Sequence, residues 1–254
     1  MSGHSKWSTI KRKKGANDEK KGKIFTKAAR EVIMAARLGG GDPDMNSRLR
    51  FAIQKAKEVN MPNDNIKKAI LRGTGSGDSG HMEEVTYEAY AQAGVAMIIE
   101  CVTDNKNRTL PEIKNVITKA GGNMAEKGSV AYMFSKKGVF VFDGAAVSED
   151  KIMDIAINHD VDDIKQLDDG SIEVICESLT YESLKNDFDS NNIAYLNSEL
   201  SMIPSMQIPV TDVTIAKKIL SMIDKLEDND DVQNVYSNSD ISDETYQQLE
   251  DENS

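Results

Sequence analysis

The apolar residues of this chain follow one period before the Gly- and Ser-rich stretch at residues 73–80 and another after it. Up to residue 72 they recur at helical spacing; from residue 82 onward they gather in short extended runs broken by turn residues. A chain with that switch must build a small helical module first and a mixed α and β body afterwards. Over residues 20–38, Lys20, Lys23, Lys27, Arg30 and Arg37 fall on one narrow helical face, with Ile24, Phe25, Ala28, Ala29, Val32 and Ala36 on the other. Gly39, Gly40, Gly41, Asp42 and Pro43 stop that helix. Leu49, Ala52, Ile53 and Ala56 predict a second helix over 47–59. Ile66 and Ile70, flanked by Lys67, Lys68 and Arg72, predict a short third one ending at Gly73.

Beyond the linker, residues 85–90 and 94–102 read as strands. Thr109, Pro111 and Glu112 have the spacing of a capping box opening a helix to Ala120, and residues 129–134 read as a strand. From Gly138 the order is strand, helix, strand, strand, helix, strand, the last read over 193–202, which is the ferredoxin-like split unit. The last segment supplies a strand at 206–210, a helix with Ile215, Ile219, Met222, Ile223 and Leu226 on one face, and a strand at 232–236. That is too little for a free-standing domain, so it is expected to return to the unit begun at His81. The fold class expected is α+β: a helical domain over 1–80, a discontinuous α+β domain from 81–136 plus 205–240, a ferredoxin-like domain over 137–204, and a frayed acidic tail over 241–254.

Charge follows the same boundary. Through Gly80 there are 18 Lys and Arg against 8 Asp and Glu, a balance of +10; the remainder has 13 against 34, a balance of −21. An overall acidic protein thus carries a cationic module suited to phosphates, beside a body that phosphates would avoid. The alternative is that these cations only coat solvated helix faces.

The residues expected to meet nucleic acid are His4, Lys6, Trp7, Lys11, Arg12, Lys13 and Lys14 in an N-terminal arm, and Lys20, Lys23, Lys27, Arg30 and Arg37 on the first helix. Cations around an indole suit single-stranded or looped RNA; Trp7 could equally fold back as an apolar anchor. Asp104, Asn105, Asn107 and Arg108 form a dense polar loop that could meet a partner, although the same residue types fit a turn better. Glu227 to Asp231 has a calcium-loop composition without the EF-hand spacing, and reads as a solvated helix end.

Other functions lack their signatures. His4, His81 and His159 are scattered, so no zinc-like ligand set is expected. Cys101 and Cys176 sit in apolar runs without a CxxC partner and read as buried thiols. There is no phosphate-gripping P-loop and no GxSxG elbow, so no enzymatic activity on a small-molecule substrate is expected. No apolar run is long enough for a membrane span, and the start lacks a secretory signal, so a cytoplasmic location is expected.

In sequence the chain resembles the YebC family of bacterial proteins and the related mitochondrial translational activators. The resemblance is nearly end to end. It rests on Gly3-His4-Ser5-Lys6-Trp7, Gly22-Lys23-Ile24-Phe25-Thr26-Lys27, Gly40-Gly41-Asp42-Pro43, Asn60-Met61-Pro62, Thr103-Asp104-Asn105-Lys106-Asn107-Arg108-Thr109, Gly128-Ser129-Val130, Ser201-Met202-Ile203-Pro204-Ser205 and Leu226-Glu227-Asp228-Asn229-Asp230-Asp231-Val232-Gln233. It implies a helical domain followed by two α+β domains, no cofactor, and a role as a DNA-binding transcriptional regulator or as a ribosome-associated factor contacting ribosomal RNA. One departure stands out: Ala89, Ala91, Gln92 and Ala93 replace the usual Gly, Gly, Pro and Gly. Alanine there resists positive φ and close backbone approach.

Overall fold

A computed structural model describes residues 21–75 and 82–251. Three helices come first: α1 (Lys21–Gly39), α2 (Ser47–Glu58) and α3 (Asn63–Gly73). Their apolar stripes meet in one core built from Val32, Ile33, Ala36, Leu49, Ala52, Ala56, Ile66 and Ala69. Asn46 joins the first two helices. Its side chain caps α2 by accepting from the Leu49 amide at 3.1 Å, and its Nδ2 donates to Ala35 O and Gly40 O, both at 2.8 Å. Gly73 ends α3 where a Cβ would stand 2.5 Å from Ile33 O and 2.7 Å from Ala36 Cβ. Only glycine lets α3 approach α1 that closely.

The first sheet holds β1 (Glu83–Tyr90), β2 (Ala96–Thr103), the two-residue β3 (Asn123–Met124) and β9 (Val232–Ser237), in the order β3-β1-β2-β9. Helices α4 (Lys106–Lys119) and α7 (Val213–Glu227) bring Ile113, Ile117, Ile219 and Met222 into the core beneath it. The C-terminal segment therefore returns 134 residues along the chain, where the Asn234 amide donates to Glu100 across the β2–β9 pair. Met82 and Val102 join the helical core. The helices and this sheet consequently form one compact unit, residues 21–131 and 208–251 among those described.

The other unit spans residues 132–207. Its strands β4 (Phe134–Phe142), β5 (Val161–Gln166), β6 (Ile172–Glu177) and β7 (Asn197–Pro204) lie in the order β5-β6-β4-β7, all antiparallel, with α5 (Glu149–Ala156) and α6 (Tyr181–Ser190) as crossovers. This is the ferredoxin-like arrangement. Cys101 and Cys176 are both free and buried, and burial pushes their thiols up to about 12 and about 11.

Four local expectations give way. The Thr109 capping box does not open α4; Asn105 is its N-cap, and Thr109 is a fully buried residue one turn in. Residues 129–133 form turns and a short 3-10 helix, because Glu88 captures the amides of Gly128, Val130 and Ala131 at 2.6, 2.6 and 2.9 Å, and extended structure begins only at Phe134. Burial works to raise the Glu88 pKa, and these three donors outweigh it, so the carboxyl stays below its ordinary range. The final strand of the ferredoxin-like unit starts at Asn197, not at Ile193. Finally, the polar end is not frayed through residue 251: β10 (Ser239–Ile241) pairs in parallel with β8 (Ile208–Val210), and α8 (Asp243–Asp251) buries Leu249.

Candidate nucleic-acid interface

His4, Lys6, Trp7, Lys11, Arg12, Lys13, Lys14 and Lys20 lie outside the described residues. The remaining first-helix cations are described, and the fold turns them inward. Lys23 Nζ donates to Asp228 O at 3.0 Å and stands 3.6 Å from the Asp228 carboxylate. Lys27 Nζ donates to Glu227 O at 2.7 Å. These carbonyls close α7, so the lysines meet the negative end of its dipole. Arg30 donates to Val102 O at 2.9 Å and pairs with Asp231, while Arg37 donates to Met82 O at 2.9 Å. The basic stripe read from periodicity is real as a stripe, yet its partners here are carbonyls and carboxylates of the same chain.

Asp231 is the centre of this contact. It is 3% exposed. Arg30 pairs with Oδ1, and Oδ2 lies 2.7 Å from Arg108 Nη2, 2.7 Å from Thr109 Oγ1 and 3.1 Å from Thr103 Oγ1. Burial works to raise its pKa; the hydrogen bonds of Thr109, Arg108 and Arg30 outweigh it and hold the carboxyl at about 2. Asp231 is thus not part of a solvated helix end, as composition suggested. It sits on the turn entering β9, with its own amide bonded to Asn229 Oδ1 at 2.9 Å. No spacing rule picks out such a residue, since its partners come from three distant segments; its only sequence signal was its place in a stretch that resembles the family.

The polar loop before α4 faces the same hub. Arg108 bridges Asp231 and Asp104, the latter at 2.9 Å, and Asn105 caps the helix by accepting from the Arg108 amide at 3.3 Å. Asn107 is exposed. Of the loop residues the structure brings Arg108 to Asp231 and gives Asp104 and Asn105 supporting contacts.

Elsewhere on the helical segment, Lys55 and Lys57 of α2 and Lys67 and Lys68 of α3 are exposed and make no ion pair among the described residues. Arg50 and Arg72 are exposed alongside them. By contrast, Arg48 is held by Glu31 at 3.0 Å and by Glu84. Among the described residues no group of three or more His, Cys, Asp or Glu side chains gathers as a metal site, and no helix is long and apolar enough to cross a membrane.

Two family models match this chain: TACO1/YebC protein N-terminal domain over residues 5–76, and TACO1/YebC second and third domain over residues 82–239. The chain belongs to the TACO1/YebC family. A relative from Syntrophus aciditrophicus is 49% identical over 98% of this chain and 99% of its own length. One from Desulfotalea psychrophila is 46% identical over 98% and 99%. Both are named probable transcriptional regulatory proteins. A conserved hypothetical protein of Aquifex aeolicus has a crystal structure with a TM-score of 0.80 and 35% identity, covering 89% of this chain and 93% of that one. Within this TACO1/YebC chain, the residues that depart from the usual family pattern behave unequally. Ala89 and Ala91 are buried without strain at φ, and the Gln92 side chain donates to Ala120 O at 3.2 Å. Ala93 alone pays, at φ 59°.

Proposed function

We propose that this chain is a nucleic-acid-binding regulator of gene expression that acts without catalysis, contacting nucleic acid through its N-terminal segment. One observation carries the reading: a net positive balance is confined to the first eighty residues, and after the fold has committed Lys23, Lys27, Arg30 and Arg37 internally, the exposed Lys55, Lys57, Lys67 and Lys68 still stand on α2 and α3. The names of the relatives agree with a regulatory role. Lysines at phosphate spacing position a nucleic acid without reading its bases, and the arm pairs cations with Trp7. This composition favours structured RNA, as on a ribosome, over a specific DNA operator.

The test is a titration of the full chain with structured RNA and with duplex DNA over a range of salt. Replacing Lys55, Lys57, Lys67 and Lys68 by Glu should weaken binding and flatten its salt dependence, since fewer counterions are released. Unchanged affinity and slope would remove these helices from the interface, and tighter salt-matched binding to DNA would reverse the preference for RNA.

A second reading has its own support. The basic face of α1 already seats an acidic protein segment, Glu227 to Asp231 of the same chain. A protein-interaction module whose cations meet an acidic partner is the corresponding alternative, and an acidic protein competitor added to the titration distinguishes the two.

A further inference from the structure

Strand β1 is paired along its whole length on one side and over only two residues on the other. It meets β2 from Glu83 to Tyr90, whereas β3 meets it at Ala89 and Tyr90. The cause is Glu88. The Ala125 amide donates to Glu88 O at 2.8 Å and continues the β3 ladder by one bond; the Glu88 carboxylate then holds the amides of Gly128, Val130 and Ala131, and the chain turns away from the edge. Because Glu88 O faces the β3 side, and alternate residues of an antiparallel strand direct N–H and C=O to the same edge, Thr86 and Glu84 face that side as well. Their backbone groups have no partner there among the described residues. Two sets of main-chain donors and acceptors, about 7 Å apart, are therefore left open beyond the end of β3.

A groove of about 340 Å³ runs beside this edge, walled by β1, by α4 and by the segment after β3. Tyr87, Leu110 and Met124 give it apolar surface, and Leu110 is 40% exposed. Lys114 and Lys127 give it charge; both are exposed, and neither forms an ion pair among the described residues. The one carboxylate in the lining, Glu88, is already held at both oxygens by the three amides. An edge with open backbone groups is a template for another strand. Here the side chains beside it set which strand fits: one with apolar bulk and negative charge.

We propose that this groove receives an extended acidic segment of a partner protein, which adds to β1 beside Thr86 and Glu84 where β3 leaves off. Its main chain bonds the open groups, an apolar side chain lies on Leu110, Met124 and the Tyr87 ring, and its carboxylates meet Lys114 and Lys127. Main-chain donors and acceptors at strand spacing fit a peptide; a nucleic acid uses the two lysines and leaves those groups unmet. A second copy of this chain fits less well, since joining two such edges brings the Lys114 and Lys127 charges of both chains together. Peptide binding here is independent of the nucleic-acid contact proposed for the N-terminal segment.

The test titrates the full chain with a fluorescein-labelled peptide of alternating Asp and Val. Saturable binding is expected, and Lys114→Glu combined with Lys127→Glu should weaken it several-fold. Both side chains are exposed, so the variant should keep its circular dichroism spectrum and melting temperature. Amide hydrogen exchange followed by NMR reads the edge directly in the unaltered chain. The Thr86 amide should exchange fast in the free chain and slow down when the peptide is added, while the amides of Val85 and Tyr87, which face β2, change little. Absence of saturable binding overturns the proposal, as does a Thr86 amide that the peptide leaves unprotected or that is already slow in the free chain. Equal binding of a peptide alternating Lys and Val, or stronger protection of Thr86 by a single-stranded RNA oligomer than by the acidic peptide, overturns it too. Self-association through this edge, seen as sedimentation that the charge reversal alters, would assign the groove to a second copy instead.

Discussion

Arg30 on α1 and Asp231 at the entry to β9 are 201 residues apart in sequence and form an ion pair with Asp231 fully enclosed. The pair fastens the helical segment to the first sheet at the entry to β9. Its environment makes it unlike the other α1 contacts, because Lys23 and Asp228 are each close to half exposed.

Removing Arg30 should therefore destabilise the chain, whereas removing Lys23 should not. Arg30→Ala leaves Asp231 with Arg108 and two threonines and is expected to cost about 1.5–3 kcal/mol, the range for a hydrogen bond to a charged group. Lys23→Ala should stay within about 0.5 kcal/mol, as exposed pairs do. Urea denaturation followed by circular dichroism measures both, and equal effects would deny that burial sets the difference.

Acid stability should carry the signature of Asp231. Its folded pKa is about 2 against an ordinary value of 3.8. Since the folded value is the lower one, the stabilisation is complete above pH 4 and fades as pH falls toward 2, amounting to about 2 kcal/mol in all. Asp231→Asn should be less stable at neutral pH, and its stability should fall less steeply over that window. Parallel pH profiles for the two proteins would exclude the assignment.

Ala93→Gly should stabilise. The residue holds φ 59°, where a Cβ is strained and glycine is not. A gain of about 0.5–1 kcal/mol is expected in thermal or chemical melting, since glycine also loses more entropy on folding. A loss would mean that the Ala93 methyl makes compensating contacts.

Gly73→Ala should do the reverse. The added Cβ meets Ile33 O at 2.5 Å and Ala36 Cβ at 2.7 Å, so α3 must move from α1. A cost of about 1–3 kcal/mol follows from overpacking. Hydrogen exchange would locate the loss in α1 and α3; protection unchanged in both helices would show that the ends relax freely.

Where the sequence was legible, a local periodic signal carried the structure. The apolar stripe of α2, the order of strands and helices in the ferredoxin-like unit and the Gly-rich stop after α1 each rest on signals within a few residues of one another, and each is where the pattern put it. Capping and turn signals were less secure. Thr109 has the right spacing to open a helix, but its hydroxyl is worth more on buried Asp231, and Asn105 takes the cap. Residues 129–134 have strand-forming composition, and one distant carboxylate, Glu88, holds 129–133 in turns.

The candidate interface divides in the same way. Sequence by itself determined that the first eighty residues are cationic, that α1 has a basic stripe opposite an apolar one, and that an α+β body follows, because charge count and helical period are properties of the chain and survive any folding. Which cations remain available was decided only in three dimensions. Lys23, Lys27, Arg30 and Arg37 face carbonyls and carboxylates brought from as far as residue 231, while Lys55, Lys57, Lys67 and Lys68 stay exposed. The physical reason is that a charge is fixed by its residue, whereas the field it meets is set by whichever segments the fold places within a few ångströms of it.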